Sequence, residues 1–322
     1  MKICLLGKIP PIQGGVSRDM LWFAYTCAAA GHHVHIVTNA IEVEPEFRIF
    51  TLDYSDPSLQ DIHSPLDHPN ITIHQTNSEN IKDVHYIPYA NPYVSKLTSI
   101  AVDVIKKHKC EFIYSYYFEP YCVAAYLASQ WTKIPFSVEH AGSDIGSLIN
   151  SPVLKQTYIS ILKSAHAILS SPNLLPRYIE WGIDLHKIHY DYTNRSLSHF
   201  NSSIRPLNLT HYKNHVLTLS HPYIRTFHHP TLTIPLLPDI PIIGLYGKTG
   251  EIKGHYDLIR ALGLLAKKGI RFHLVCMVQG DRHNLKKLCD LIKENHIEHH
   301  TWLLPYLPHW HMPAFIQSCD IL

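Results

Sequence analysis

The sequence predicts an α/β fold built on parallel sheets and divided into about two domains. Short apolar runs alternate with segments of helical periodicity, the pattern of strands buried on both faces and covered by helices. Several of these runs empty into glycine-bearing turns, as at Gly7, Gly14-Gly15 and Gly247. A length of 322 residues, with 46% hydrophobic and 17% charged side chains, suffices for large cores and excludes a disordered chain.

The first strand is Lys2-Ile3-Cys4-Leu5-Leu6. It leads through Pro10-Pro11-Ile12-Gln13-Gly14-Gly15 into a helix expected over about 17–30. Apolar groups recur there at Met20, Phe23, Ala24, Cys27 and Ala28, and Gly31 is placed to stop the helix. The next strand is 34–38. The polar stretch 53–80 reads either as a simple connector or as a loop with a binding role. Lys106-Lys107-His108-Lys109 reads as a solvated helix end. A strand over 111–117 and an alanine-rich helix lead to the strand around Phe136-Ser137-Val138-Glu139, which places His140 at a carboxyl end. Another strand is expected over 165–171. Between 189 and 241 the alternation lapses, and Pro230, Pro235, Pro238 and Pro241 mark an interdomain linker. Beyond it come a strand from Ile242 that empties into a glycine-rich turn, a helix to about Lys268, a strand at 271–278, a helix at 285–294 and apolar segments at 301–306 and 312–322.

The densest chemistry lies in Gly247-Lys248-Thr249-Gly250-Glu251-Ile252-Lys253-Gly254. Small residues let the backbone approach a ligand, two ammonium groups can converge on one diphosphate, and the following helix offers its N-terminus. A triphosphate P-loop is excluded, because the glycine that should open it falls on Ile242. A dehydrogenase is disfavoured, since neither glycine loop has the G-x-G-x-x-G spacing.

The pattern G-K-x-x-x-x-K-G resembles the G-R-x-x-x-x-K-G signature of retaining sugar-nucleotide glycosyltransferases of glycosyltransferase family 4. Lys248 stands where the family has arginine, keeping the charge without the bidentate fork. The Gly14-Gly15 pair, the block His140-Ala141-Gly142-Ser143-Asp144 and the passage Gly182 to Ile188 are similar to further family motifs. The resemblance implies a GT-B fold: two Rossmann-like, doubly wound parallel-sheet domains facing across a cleft, with the second incomplete. It divides the chain into an acceptor-side domain with linker at 1–238 and a donor-nucleotide domain at 239–322. It also implies transfer of a hexosyl group from a nucleoside diphosphate sugar to an acceptor hydroxyl, with retention of configuration. His140, Lys248 and Lys253 take the catalytic roles; Gly14, Gly15, Gly247 and Gly254 line the donor. Two readings stay open at Asp144, a sugar-hydroxyl acceptor or an N-cap for a segment starting near Ile145. Glu119 is an acceptor-side carboxylate or a solvated side chain. The family's paired-glutamate segment would follow Leu322, so the chain is expected to be the larger part of an enzyme cut inside its second domain and inactive alone. A GT-B epimerase or phosphorylase and a noncatalytic sugar-nucleotide-binding remnant are the alternatives.

The 28 basic and 26 acidic side chains nearly balance, so no nucleic-acid partner is expected. The partners implied are a nucleotide-sugar donor and a glycan or lipid-linked acceptor. Seven singly placed cysteines read as reduced core residues. His309-Trp310-His311 lacks companions for a metal site, and the resemblance implies no cofactor and a metal-independent reaction. The first strand is too short for a signal-peptide core and no apolar run approaches the ~20 residues of a bilayer span. A cytoplasmic protein is expected, with peripheral contact at the inner membrane face; protonation of the 26 histidines would strengthen that contact.

Overall fold

The computed structural model describes residues 1–43, 66–77, 92–190, 240–277, 282–304 and 312–322. They fall into two compact units, the first ending in a strand at Tyr190 and the second beginning at Ile240. The prolines expected to mark the linker at 230, 235 and 238, and the segment His309-Trp310-His311, lie outside the described residues.

The first unit is built on seven parallel strands in the order β3-β2-β1-β4-β5-β6-β7. They are β1 (Lys2–Leu6), β2 (His33–Thr38), β3 (Ile71–Gln75), β4 (Phe112–Tyr116), β5 (Phe136–Glu139), β6 (Ala167–Ser170) and β7 (Ile188–Tyr190). Strands β1, β2 and β5 are buried along nearly their whole length because helices cover the sheet's faces; every residue of β5 is buried, Ser137 and Glu139 included. Helix α1 (Gly15–Ala29) packs Met20, Ala24 and Ala28 on one face, against Ile3, Leu5, Val34 and Ile36. Helices α2 (Tyr93–His108) and α3 (Val123–Thr132) cover the other face, where Cys4, Leu6, Val37 and Ile113 meet Leu97, Ala101, Ala124 and Ala128. The alanines explain how α2 and α3 share this layer: a small side chain lets two backbones approach. Short α4 (Gly142–Gly146) follows β5, and α5 (Pro152–Ser164) and α6 (Leu175–Glu180) complete the unit.

Helix α1 begins at Gly15, two residues before the sequence expectation, because the Gly14 carbonyl already accepts from the Arg18 N–H at 3.1 Å. Its end is as expected. Gly31, at φ +84°, lets the His32 N–H reach Cys27 O and its own N–H reach Ala28 O, both at 3.0 Å, a Schellman ending. Part of the stretch read as connector or binding loop is instead strand: Ile71–Gln75 is β3, the sheet's edge, paired with β2. An edge strand keeps one side open, so its sequence can stay polar and resembles a loop.

The second unit has three parallel strands in the order β10-β9-β8: β8 (Ile242–Leu245), β9 (His273–Met277) and β10 (Thr301–Leu304). Helices α7 (His255–Lys267) and α8 (Arg282–Glu294) bury Ile259, Leu262, Leu288 and Ile292 against Ile243, Leu274 and Leu303. Helix α9 (Met312–Gln317) returns the chain to β8, where Gly244 N–H donates to Ile321 O at 2.7 Å and Ile321 N–H to Ile242 O at 3.1 Å. Segment 320–322 thus pairs with β8. All seven cysteines are free and five are buried, as the sequence led us to expect. No described helix is long and apolar enough to cross a membrane.

At Gly244 a Cβ would lie 2.6 Å from Cys319 Sγ and 2.7 Å from Leu322 Cδ2. Gly244→Ala is expected to destabilise the protein by about 1–3 kcal/mol through overpacking. A urea-unfolding midpoint equal to wild type would show that the segment after α9 yields freely.

Candidate functional site

The strand order of the first unit changes direction between β1 and β4. The helix following β1 lies on one face and the helix following β4 on the other, and the carboxyl edge of such a switch point is where open α/β sheets bind ligands. The loop after β1 starts at Gly7, where a Cβ would stand 2.2 Å from Met20 Cε. Lys8 Nζ sits 3.8 Å from the centre of the Tyr117 ring, a cation–π contact that ties the β1 loop to the end of β4. Tyr117 has φ +83° although it is not glycine, and its N–H donates to Glu139 O at 3.0 Å. Gly14 adopts φ 112°, ψ 171°, a conformation essentially restricted to glycine. The exposed Gly15 then opens α1, which has no side-chain cap and no acid in its first turn. Ser17 Oγ, buried in that turn, has no hydrogen-bond partner among the described residues. This is the local arrangement in which helix N–H groups are free to hold an anion.

His140 follows the last residue of β5 and is 9% exposed. Its Nε2 meets the Tyr178 hydroxyl, which donates to Ser170 Oγ at 2.7 Å; with that proton committed, Nε2–H donates to tyrosine. Burial pulls the imidazole down to about 4, against a smaller opposing effect of the neighbouring Ala141 and His140 backbone. No partner meets hydrogen-bond geometry at Nδ1. His140 is therefore neutral at pH 7, with a polar atom aimed into the protein and unused by it. The Phe118 ring lies parallel to it at 6.3 Å and stacks on Tyr158 at 4.6 Å.

Asp144 is fully buried within α4. Its two carboxylate oxygens accept from Phe118 N–H and Ile145 N–H, each at 3.0 Å. The helix begins at Gly142, ahead of the expected start, so Asp144 is not a cap before it; its carboxylate holds the β4 loop against α4. Burial pushes the group up to about 6, with the backbone N–H bonds acting the other way. Glu119, beside Phe118, accepts from the Tyr158 hydroxyl at 3.1 Å and is raised by burial against that bond. Of the residues singled out in sequence, His140, Glu119 and Asp144 are thus joined through Phe118 and Tyr158, while Gly14 and Gly15 open the neighbouring helix.

In the second unit the loop after β8 contains Gly247 at φ +100° and Gly254 at φ +74°. Neither would bring a Cβ within 4 Å of another group, so both are there for backbone conformation. Gly254 caps α7 without a side-chain hydrogen bond. Lys248 and Lys253 are exposed and form no ion pair among the described residues. Beneath them Thr249 and His255 are each 2% exposed, and Thr249 Oγ1 and both ring nitrogens of His255 have no partner of hydrogen-bond geometry. Burial lowers the His255 pKa first; the Gly247 and Gly250 backbone lies close enough to oppose this, and Lys253 lowers it further. The loop is therefore a cationic rim over buried, underused polar atoms.

Sequence reasoning missed Tyr178, Tyr158, Lys8, Thr249 and His255. The last two sit inside the quoted lysine motif and were legible as neighbours of Lys248 and Gly254. The tyrosines meet their partners from 38 and 39 positions away, which no local pattern discloses.

No protein-family model matches the chain, and no curated protein matches it in sequence. Solved structures do match. HepE (Alr3699) of Anabaena in complex with UDP-glucose shares 13% identity at a TM-score of 0.61, over 99% of this chain and 72% of that one. The catalytic domain of starch synthase IV from Arabidopsis thaliana, bound to ADP and acarbose, shares 9% at 0.54, over 99% and 76%. UDP-GlcNAc 2-epimerase from Neisseria meningitidis, bound to UDP-GlcNAc, shares 13% at 0.53, again over 99% and 76%. These likenesses show the fold: the chain is an α/β protein of the GT-B class.

Two buried groups give the first unit opposite pH responses. His140, depressed from 6.5 to about 4, contributes stability that is complete above 6.5 and is lost as pH falls through 4, on the order of 3 kcal/mol. Asp144, raised from 3.8 to about 6, contributes stability that is complete below 3.8 and is lost as pH rises through 6. Relative to wild type, His140→Gln is expected to lose less stability between pH 6.5 and 4.5, and Asp144→Asn to lose more. Denaturant titrations at both pH values check this, and parallel pH profiles for all three proteins would refute it. Gly14→Ala, which forces a side chain into the glycine conformation, should cost about 1–3 kcal/mol in the same assay.

Proposed function

We propose that the intact protein transfers a hexosyl group from a nucleoside diphosphate sugar to an acceptor hydroxyl, with retention of configuration as in glycosyltransferase family 4. The observation that carries this reading is the loop 246–254: two exposed lysines with no ion pair among the described residues, on a glycine-shaped backbone that leads into a helix without a side-chain cap. As the glycosyl–phosphate bond breaks, negative charge grows on the leaving diphosphate, and fixed cations and N–H groups there lower the barrier. Lys248 and Lys253 supply the cations. In the first unit, the N–H groups opened by Gly14 and Gly15 offer a second anion contact. His140, neutral and at the carboxyl end of β5, contacts the sugar, and Glu119 and Asp144 hold the β4 loop beside it. The reaction as written calls on no metal ion or cofactor. The acceptor is a glycan or lipid-linked sugar, and a lipid-linked acceptor would bring the protein to the inner face of the membrane.

The supporting likenesses include proteins solved with UDP-glucose, ADP and UDP-GlcNAc. An epimerase is among them, so epimerisation of a UDP-sugar is the second reading. Incubating the full-length protein with UDP-glucose or UDP-GlcNAc, with and without an acceptor, separates the two. Acceptor-dependent release of UDP with an α-linked product supports transfer, whereas acceptor-independent conversion of the sugar supports epimerisation. Binding of UDP without either reaction supports the remnant reading.

Lys253→Ala in the full-length enzyme is expected to lower kcat/KM by roughly two orders of magnitude, about 3 kcal/mol in the barrier. Lys248→Arg, which restores the family's guanidinium, should retain or raise activity. Near-normal turnover by Lys253→Ala would refute the phosphate role.

A further inference from the structure

A second cluster of chemistry-bearing residues lies at the β3 edge of the sheet, away from the β1/β4 switch point. His35 is on β2, His74 on the edge strand β3, and His108 is the last residue of α2. In the parallel register His35 stands opposite Thr72 and Val37 opposite His74, so both histidines point to the face of the sheet that α2 covers. Helix α2 runs back to the start of β4 and delivers His108 beside His35. The ring centroids of His35 and His108 are 4.1 Å apart, those of His35 and His74 5.4 Å, and those of His74 and His108 5.8 Å. One ring nitrogen from each lies within 4.8 Å of the others, and His35 Nδ1 is 3.1 Å from His74 Nε2.

Three imidazoles at this spacing suit one kind of ligand. A tetrahedral zinc ion with metal–nitrogen distances of about 2.0–2.1 Å sets its ligand nitrogens about 3.3 Å apart, a separation one pair already has and the third reaches by rotating a half-exposed side chain. His35 is buried, while His74 and His108 keep part of their surface open, which gives an ion a way in. Burial first, and then His108 and the nearby lysines, hold His35 and His74 below the ordinary histidine range, so both are neutral at neutral pH, and the hydrogen bond between them would give way to an ion. Lys2 beside His35 and Lys107 beside His74 oppose any bound dication, while an all-imidazole ligand set suits zinc and its neighbours over hard, oxygen-seeking ions.

We propose that His35, His74 and His108 form a three-imidazole site for a divalent late transition metal, zinc or one of its neighbours, that clips the edge strand β3 and the end of α2 to β2. The fourth position is left to water. Because the three residues lie on β2, β3 and the end of α2 and not at the β1/β4 switch point, the role is structural and independent of the proposed transfer. A metal bound only by the folded protein raises its stability by mass action.

The test is a zinc titration of the full chain against a chromophoric chelator, with thermal unfolding in zinc and in EDTA. Wild type should take up one competed equivalent and melt higher in zinc. His74→Gln and His108→Gln, each at a part-exposed position, should weaken that equivalent by roughly 100-fold or more and abolish the shift. His166→Ala, an exposed histidine of the same unit, should leave both unchanged. Cobalt(II) should give visible d–d bands without the near-ultraviolet thiolate band that any of the seven cysteines would produce. No competed equivalent in wild type, equal retention by the histidine variants with native circular dichroism, or a thiolate band would each overturn the proposal.

Discussion

The reversal of strand order between β1 and β4 is the constraint on which the first unit depends. Strand β1 pairs with β2 on one side and β4 on the other, and its following helix takes the opposite face from the helix after β4. Two consequences follow at the carboxyl edge. The β1 loop must turn tightly, which Gly7 and Gly14 permit, and the β4 loop must be held in place by something other than the sheet. Asp144 supplies that hold through the Phe118 N–H, and Lys8 adds a contact from the β1 loop to Tyr117. The conformation of Tyr117, costly for a residue with a Cβ, persists because these neighbours over-determine it.

Buried polar groups at this edge are the second theme. An ionisable side chain taken out of water shifts towards its neutral form unless partners compensate. His140 and Asp144 obey this in opposite directions, and both sit where the sheet ends and its backbone can bond them only in part. Neutral His140 retains an unused nitrogen, and Asp144 uses both oxygens on backbone N–H groups. The first is an arrangement suited to meeting a ligand and the second to holding a loop. Residues four positions apart in one motif are thereby given different work.

In the second unit the same division appears over a shorter stretch. Lys248 and Lys253 face solvent, whereas Thr249 and His255 turn inward beneath Gly247 and Gly254. The positive φ values of the two glycines place the lysines on the rim, and substitution by any residue with a Cβ would oppose that path. The packing of α7 and α8 on β8 and β9 fixes where the loop starts and ends, so its geometry rests on the core given by Ile243, Ile259 and Leu274.

By itself the sequence determined the α/β class, the buried strands β1, β2, β5 and β8, the stop of α1 at Gly31 and the positions of the glycine and lysine motifs. These are local properties: a strand covered on both faces must be apolar, and a backbone needing positive φ selects glycine. Tertiary structure alone decided that part of the polar 53–80 stretch is the edge strand β3, because an edge exposes one side and keeps no apolar signature. It likewise decided that Asp144 bonds Phe118, that Tyr178 and Tyr158 reach His140 and Glu119, and that His35, His74 and His108 converge. Each of those meetings joins residues 26 to 73 positions apart through strand register and helix packing, which no local pattern in the chain encodes.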